Sequence, residues 1–229
     1  MGGPRSLIAP VALVAALAGA FLLAPAARER DVAGGAVDGA RYRLTDEAAR
    51  SAGVRALPAP RPLRFAAQIA PSDRQVVLQA VAQARPEARR LVELVADLVT
   101  IEIGHTTPGT AGTTIATPAG YIVLLDLGGV YRRLGMRGVR RLVLHELAHV
   151  VDDALVQRDL EARLDAATPP GFGCDDGASG GCAARQERFA ESFAKWATGD
   201  VGHDLYVGYR VPPPASLSGW GAPLAAIGR

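Results

Sequence analysis

The sequence predicts a small α+β domain, and three kinds of stretch carry that prediction. His145-Glu146-Leu147-Ala148-His149 stands inside a mostly apolar run from Leu142 to Val156, which reads as a buried helix. Val99 to Ile103 and Tyr121 to Leu127 are rich in β-branched and aromatic residues and read as strands. Arg185 to Trp196 spaces Phe189, Phe193 and Trp196 at i, i+4 and i+7, so one face of a second helix is aromatic.

Taken in order, the chain opens on a targeting segment. Arg5 provides a short positive region, and Leu7 to Ala27 is uncharged and mostly Ala, Val and Leu. Ala24-Pro25-Ala26 puts small residues where a signal peptidase reads, so residues 1–27 are a signal peptide or a membrane anchor. Residues 28–65, rich in Ala, Gly, Pro and Arg, read as a linker or pro-like arm, with one helical patch from Thr45 to Ala52. The domain proper is expected over 66–200. It should begin with helices over Asp73–Ala84 and Pro86–Leu98, since proline suits a first helical turn. Thr106 to Pro118, rich in Thr, Gly and Pro, reads as a loop or hairpin connection, and Gly128-Gly129 as the end of the second strand. Arg137 and Gly138 lead into the histidine helix, which should run to about Gln157. Residues 201–229, with several Pro and Gly, are expected to be an irregular tail.

A net charge of +2 with no basic block gives no support to nucleic-acid binding. Cys174 and Cys182 bracket a glycine-rich loop, and an even cysteine count in an exported chain reads as a disulfide. The expected location is therefore secreted or on the cell surface, with membrane contact only through an N-terminal anchor.

The chemistry sits on the histidine helix. Positions i and i+4 share a face, so His145 and His149 can aim both imidazoles at one point. Zinc favours imidazole nitrogen and keeps one position open for water in catalytic sites. Glu146, about 100° further round, can miss the metal and still reach such a water, as a general base must. The pattern is the H-E-x-x-H motif of zinc metalloproteases. Downstream, Glu187 and Glu191 also stand at i and i+4, and like charges at that spacing are either solvated or turned towards a cation. Spacing alone does not separate their roles. A strand before such a helix can present an edge to an extended peptide substrate; Tyr121–Leu127 is either that edge or an interior strand.

Together these stretches resemble the gluzincin class of metallopeptidases, and more closely the lethal factor-like catalytic domains. His145-Glu146-Leu147-Ala148-His149-Val150-Val151-Asp152-Asp153 is similar to that family's H-E-x-x-H-x-V-D-D run. Glu187-Arg188-Phe189-Ala190-Glu191-Ser192-Phe193 is similar to its E-x-F-A-E-x-F run. The resemblance covers these two segments of the C-terminal half. It implies a zincin-like fold and one Zn2+ per chain, held by His145, His149 and Glu187. It further implies Glu146 as base, Glu191 bonding the far nitrogen of a ligating histidine, and a protein or peptide as substrate. Asp152 is suited to capping or to supporting a ligand from behind rather than to ligation, lying about 300° round from His149. A metzincin is excluded, because Asp152 and Leu155 stand where its Gly and third His belong. One departure weakens the enzyme reading. Lethal factor-like enzymes carry a tyrosine shortly before the glutamate ligand to stabilise the oxyanion, whereas no tyrosine lies between Tyr131 and Tyr206. His203, Tyr206 and Tyr209 after the helix, or Tyr121 and His105 before it, are the substitutes by chemistry. The rival expectation is a catalytically inactive zinc-binding surface module.

Overall fold

The structure is a computed structural model that describes residues 63–106, 110–170, 184–202 and 210–227. The expected signal segment, the Thr45–Ala52 patch and the Cys174–Cys182 disulfide lie outside the described residues.

The architecture is α+β. Its elements are β1 (Arg64–Phe65), α1 (Pro71–Ala82), α2 (Pro86–Val95), a single 3-10 turn (Ala96–Leu98), β2 (Val99–Ile103), β3 (Gly112–Thr117), β4 (Gly120–Leu125), α3 (Leu127–Leu155), α4 (Arg158–Ala166), α5 (Arg185–Thr198) and α6 (Leu217–Ala225). The four strands form one sheet in the order β1-β2-β4-β3. β1, β2 and β4 are parallel, and β3 folds back antiparallel on β4 in a hairpin. Gly120 closes that hairpin at φ 125°, where any Cβ would stand 2.2 Å from the Leu98 carbonyl oxygen, so only glycine fits.

Side chains alternate across the sheet. Val99, Ile101, Val123 and Leu125 are fully buried on one face, whereas Thr100, Ile122 and Leu124 between them are only half-buried and Ile115 is exposed. Helix α3 lies against β3 and β4 and packs most broadly on α5. The core runs from the buried sheet face through Leu142, Val143, Leu147, Val150 and Val151 of α3 to Phe189, Phe193 and Trp196 of α5.

Of the two readings of Tyr121–Leu127, the interior one holds: β4 lies inside the sheet, whose edges are β1 and β3, and β3 is the hairpin arm within the stretch read as a loop or hairpin connection. Other sequence expectations need correction. The second strand stops at Leu125, because Asp126 caps a helix, its side chain accepting from Gly129 N at 2.9 Å. Helix α3 accordingly begins at Leu127 and is kinked at Gly135 (φ 61°), with the histidines on the segment after the kink. The arm read over 28–65 already contributes β1, and Leu63 is buried. The tail read as irregular contains α6, whose Ser216 side chain accepts from Gly219 N and whose Trp220 and Leu224 join the core.

Candidate metal centre

Two helices build the site. On α3, His145 is fully buried and His149 is 15% exposed, and their rings stand edge to face with centroids 5.1 Å apart. On α5, Glu187 reaches across with both oxygens: Oε2 lies 3.2 Å from His145 Nε2 and Oε1 lies 3.7 Å from His149 Nε2. One ligand atom from each of His145, His149 and Glu187 falls within 4.8 Å of the others, so the three could hold a metal ion. Two imidazoles and a carboxylate form a donor set suited to a divalent transition ion.

Glu146 is fully buried on the sheet side of α3. Its Oε2 accepts from Thr114 Oγ1 on β3 at 2.9 Å, and the same hydroxyl stands 3.0 Å from the Glu146 carbonyl oxygen. Oε1 has no hydrogen-bond partner among the described residues. The side chain lies flat against Gly112, where an added Cβ would stand 2.4 Å from Oε1. A buried carboxylate oxygen without a partner is costly, and a cation or a bound water beside it would meet that cost.

The electrostatics divide the site into distinct protonation states. Burial works to lower His145, but the bonds to Glu187 and Glu191 outweigh it and raise the imidazole to about 10. Burial takes His149 down to about 4. Burial also pushes the Glu146 carboxyl up to about 7, against the opposing pull of His145. Glu187 is lowered, because His145 and His149 outweigh its burial.

Behind His145, Glu191 is 1% exposed. Its Oε1 lies 3.5 Å from His145 Nδ1, and its Oε2 accepts from Arg141 Nη2 (3.1 Å) and Lys195 Nζ (2.9 Å). Burial works to raise Glu191, yet Lys195, His145 and Arg141 hold it well below the usual carboxylate range. Asp152 does not bond a histidine. It is paired with Arg185, whose Nη1 donates at 2.9 Å and which also binds Glu161 at 3.0 Å, so it ties the start of α5 to the end of α3 two residues before Glu187.

Of the remaining candidates, His105 stands 4.0 Å from Asp126 at the start of α3, and the Tyr121 hydroxyl donates to Asp153 Oδ2 at 2.5 Å. His203, Tyr206 and Tyr209 lie outside the described residues. Sequence reasoning missed Gly112, Thr114, Arg141, Lys195 and Arg185. A signal existed for two of them: Arg141 is four residues before His145 and Lys195 four after Glu191, the spacing that shares a helix face. Compared with protein-family models, curated proteins and solved structures, the chain gives no match in any of the three.

Proposed function

We propose that this chain is an exported zinc-dependent metalloendopeptidase of the gluzincin kind, with a zincin-like fold similar to the lethal factor-like catalytic domains. One observation carries the reading: His145, His149 and Glu187 converge next to a buried glutamate that is bonded to β3, an edge strand of the sheet. His145 Nε2, His149 Nε2 and a Glu187 oxygen would hold one zinc ion. When bound, zinc supplies Lewis acidity, polarising a carbonyl and acidifying a water.

The rest is done by the chain. Glu146 takes a proton at Oε1, the oxygen without a partner among the described residues, while Thr114 keeps Oε2 in place, and it returns the proton to the leaving amine. Glu191 orients His145 from behind. Among the described residues no strand pairs with the outer side of β3, so its backbone donors and acceptors could take an extended peptide, and a protein or peptide substrate would lie beside Glu146. Export rests on the apolar segment within residues 1–27; among the described residues no helix is long and apolar enough to cross a membrane.

The test is zinc content and hydrolysis of a peptide library by the parent chain and by Glu146→Gln. The variant should keep its zinc and lose about 10²–10⁴-fold in kcat. Hydrolysis undiminished in Glu146→Gln would overturn the mechanism. Bound zinc with no hydrolysis in the parent would favour the inactive zinc-binding surface module.

A further inference from the structure

Glu187 and Glu191 are chemically identical, four residues apart on one helix, and both reach His145. What differs is what stands behind them. Glu187 turns its two oxygens to the two imidazoles, whereas Glu191 divides its own, Oε1 towards His145 and Oε2 onto two cations. Those cations are themselves out of water: the Arg141 side chain is 0% exposed and that of Lys195 6%. Desolvating a charge is costly. One cation would neutralise one carboxylate, so a second on the same oxygen exceeds what pairing requires. Arg141 is also fixed at its other end, Nη1 donating to the Asp200 carbonyl oxygen at 2.7 Å. Lys195 rides on the same helix as Glu191, one turn further on. Clamped from two elements, Glu191 Oε2 is not free to turn towards the imidazole nitrogens that face Glu187.

We propose that Arg141 and Lys195 are positioning residues that decide which glutamate of α5 holds the metal: they tether Glu191 by Oε2, turn Oε1 onto His145 Nδ1, and leave Glu187 as the ligand. The inference rests on the metal-centre reading above and is independent of peptide hydrolysis. Released from the clamp, Glu191 swings one carboxylate oxygen into the space that Glu187 fills.

Cobalt(II) affinity, by chelator competition, and the visible absorption of the cobalt-loaded full chain test this directly. Four chains are compared: parent, Glu187→Gln, Lys195→Met and the double variant. Lys195→Met alone should lose affinity about 10–100-fold and shift the cobalt bands, as expected when a supporting partner of a ligand is removed. Glu187→Gln should lose at least about 100-fold in the parent background, and about tenfold of that should return in the Lys195→Met background, where Glu191 substitutes. An equal Glu187→Gln loss in both backgrounds, with unchanged bands, would overturn the proposal. Arg141→Lys, which keeps the charge but removes the anchor to Asp200, serves the same comparison if Lys195→Met does not fold. A parent that binds no cobalt overturns this inference and the metal reading together. A parent that binds cobalt and hydrolyses nothing overturns only the peptidase reading.

Discussion

At the scale of single residues, the site depends on an absent side chain as much as on those present. Gly112 lets the Glu146 carboxylate lie on the strand; a Cβ there would come within 2.7 Å of Cγ and Cδ as well as 2.4 Å of Oε1. Gly112→Ala should therefore displace the Glu146 carboxylate without touching His145, His149 or Glu187. Misplacement by about 1 Å can cost about 100-fold in rate, so kcat/KM should fall by that order while metal content stays at the parent value. Turnover equal to the parent's would show that Glu146 does not act from this position. The legibility of the site follows the same distinction. His145, Glu146 and His149 were readable because a helix repeats its face every four residues, and the pattern is local. Thr114 and Gly112 were not, since the bond to Glu146 spans 32 positions of sequence and leaves no trace in either segment's composition. Glu187 could be told from Glu191 in the sequence only by resemblance: Lys195 stands four residues after Glu191, but the bond from Arg141 to Glu191 spans 50 positions.

Among elements, α5 is the one on which the site turns, and α6 holds it in place. Phe189, Phe193 and Trp196 pack in sequence along α5, and Trp220 of α6 meets both Phe189 (5.6 Å between centroids) and Trp196 (6.5 Å). Gly221 presses so closely on Trp196 that a Cβ would stand 2.0 Å from its Nε1. Trp220 Nε1 also donates to Thr168 Oγ1 at 3.0 Å, joining the end of α4 to the same cluster. Trp220→Ala should cost about 3–5 kcal/mol in urea unfolding, the usual range for a buried Trp truncation. It should also weaken metal binding, although Trp220 is on neither ligand helix. A loss under 1 kcal/mol would show that α6 is not part of the folded unit. The helix escaped the sequence reading because Pro and Gly were weighed above Leu217, Trp220 and Leu224, whose spacing of three and four residues was present all along. Tertiary packing overrides propensity in such short elements. For β3 the sequence left loop and hairpin open, because Thr and Gly suit both; the glycine is there for the close approach of Glu146.

On the scale of the whole molecule, the two sides of the metal centre make stability depend on pH. In a chain stripped with chelator, His145 rises from 6.5 to about 10, so the stabilisation from its protonated form is complete below pH 6.5 and is lost as pH climbs through 10. Glu146, raised from 4.5 to about 7, gives way in the same direction but is spent by pH 7. His149, lowered to about 4, acts oppositely between pH 4 and 6.5. From pH 7 to 9 the urea midpoint of the stripped chain should fall, and metal affinity should rise, since a ligand nitrogen must shed its proton to bind an ion. A flat midpoint over that window would show that His145 does not carry the proton between Glu187 and Glu191. The fold class was legible because strand and helix periods are local; the order of strands was not, because which strand ends at an edge depends on pairing across the sheet. That edge has a second consequence. β3, Gly112-Thr113-Thr114-Ile115-Ala116-Thr117, carries no charge and no proline, the usual guards against strand-to-strand association, and Pro118 stands just beyond it. Among the described residues no strand pairs with the outer side of β3, and an edge that could receive a peptide is equally open to another unfolded strand, so the proposed mode of substrate binding carries a cost in aggregation resistance.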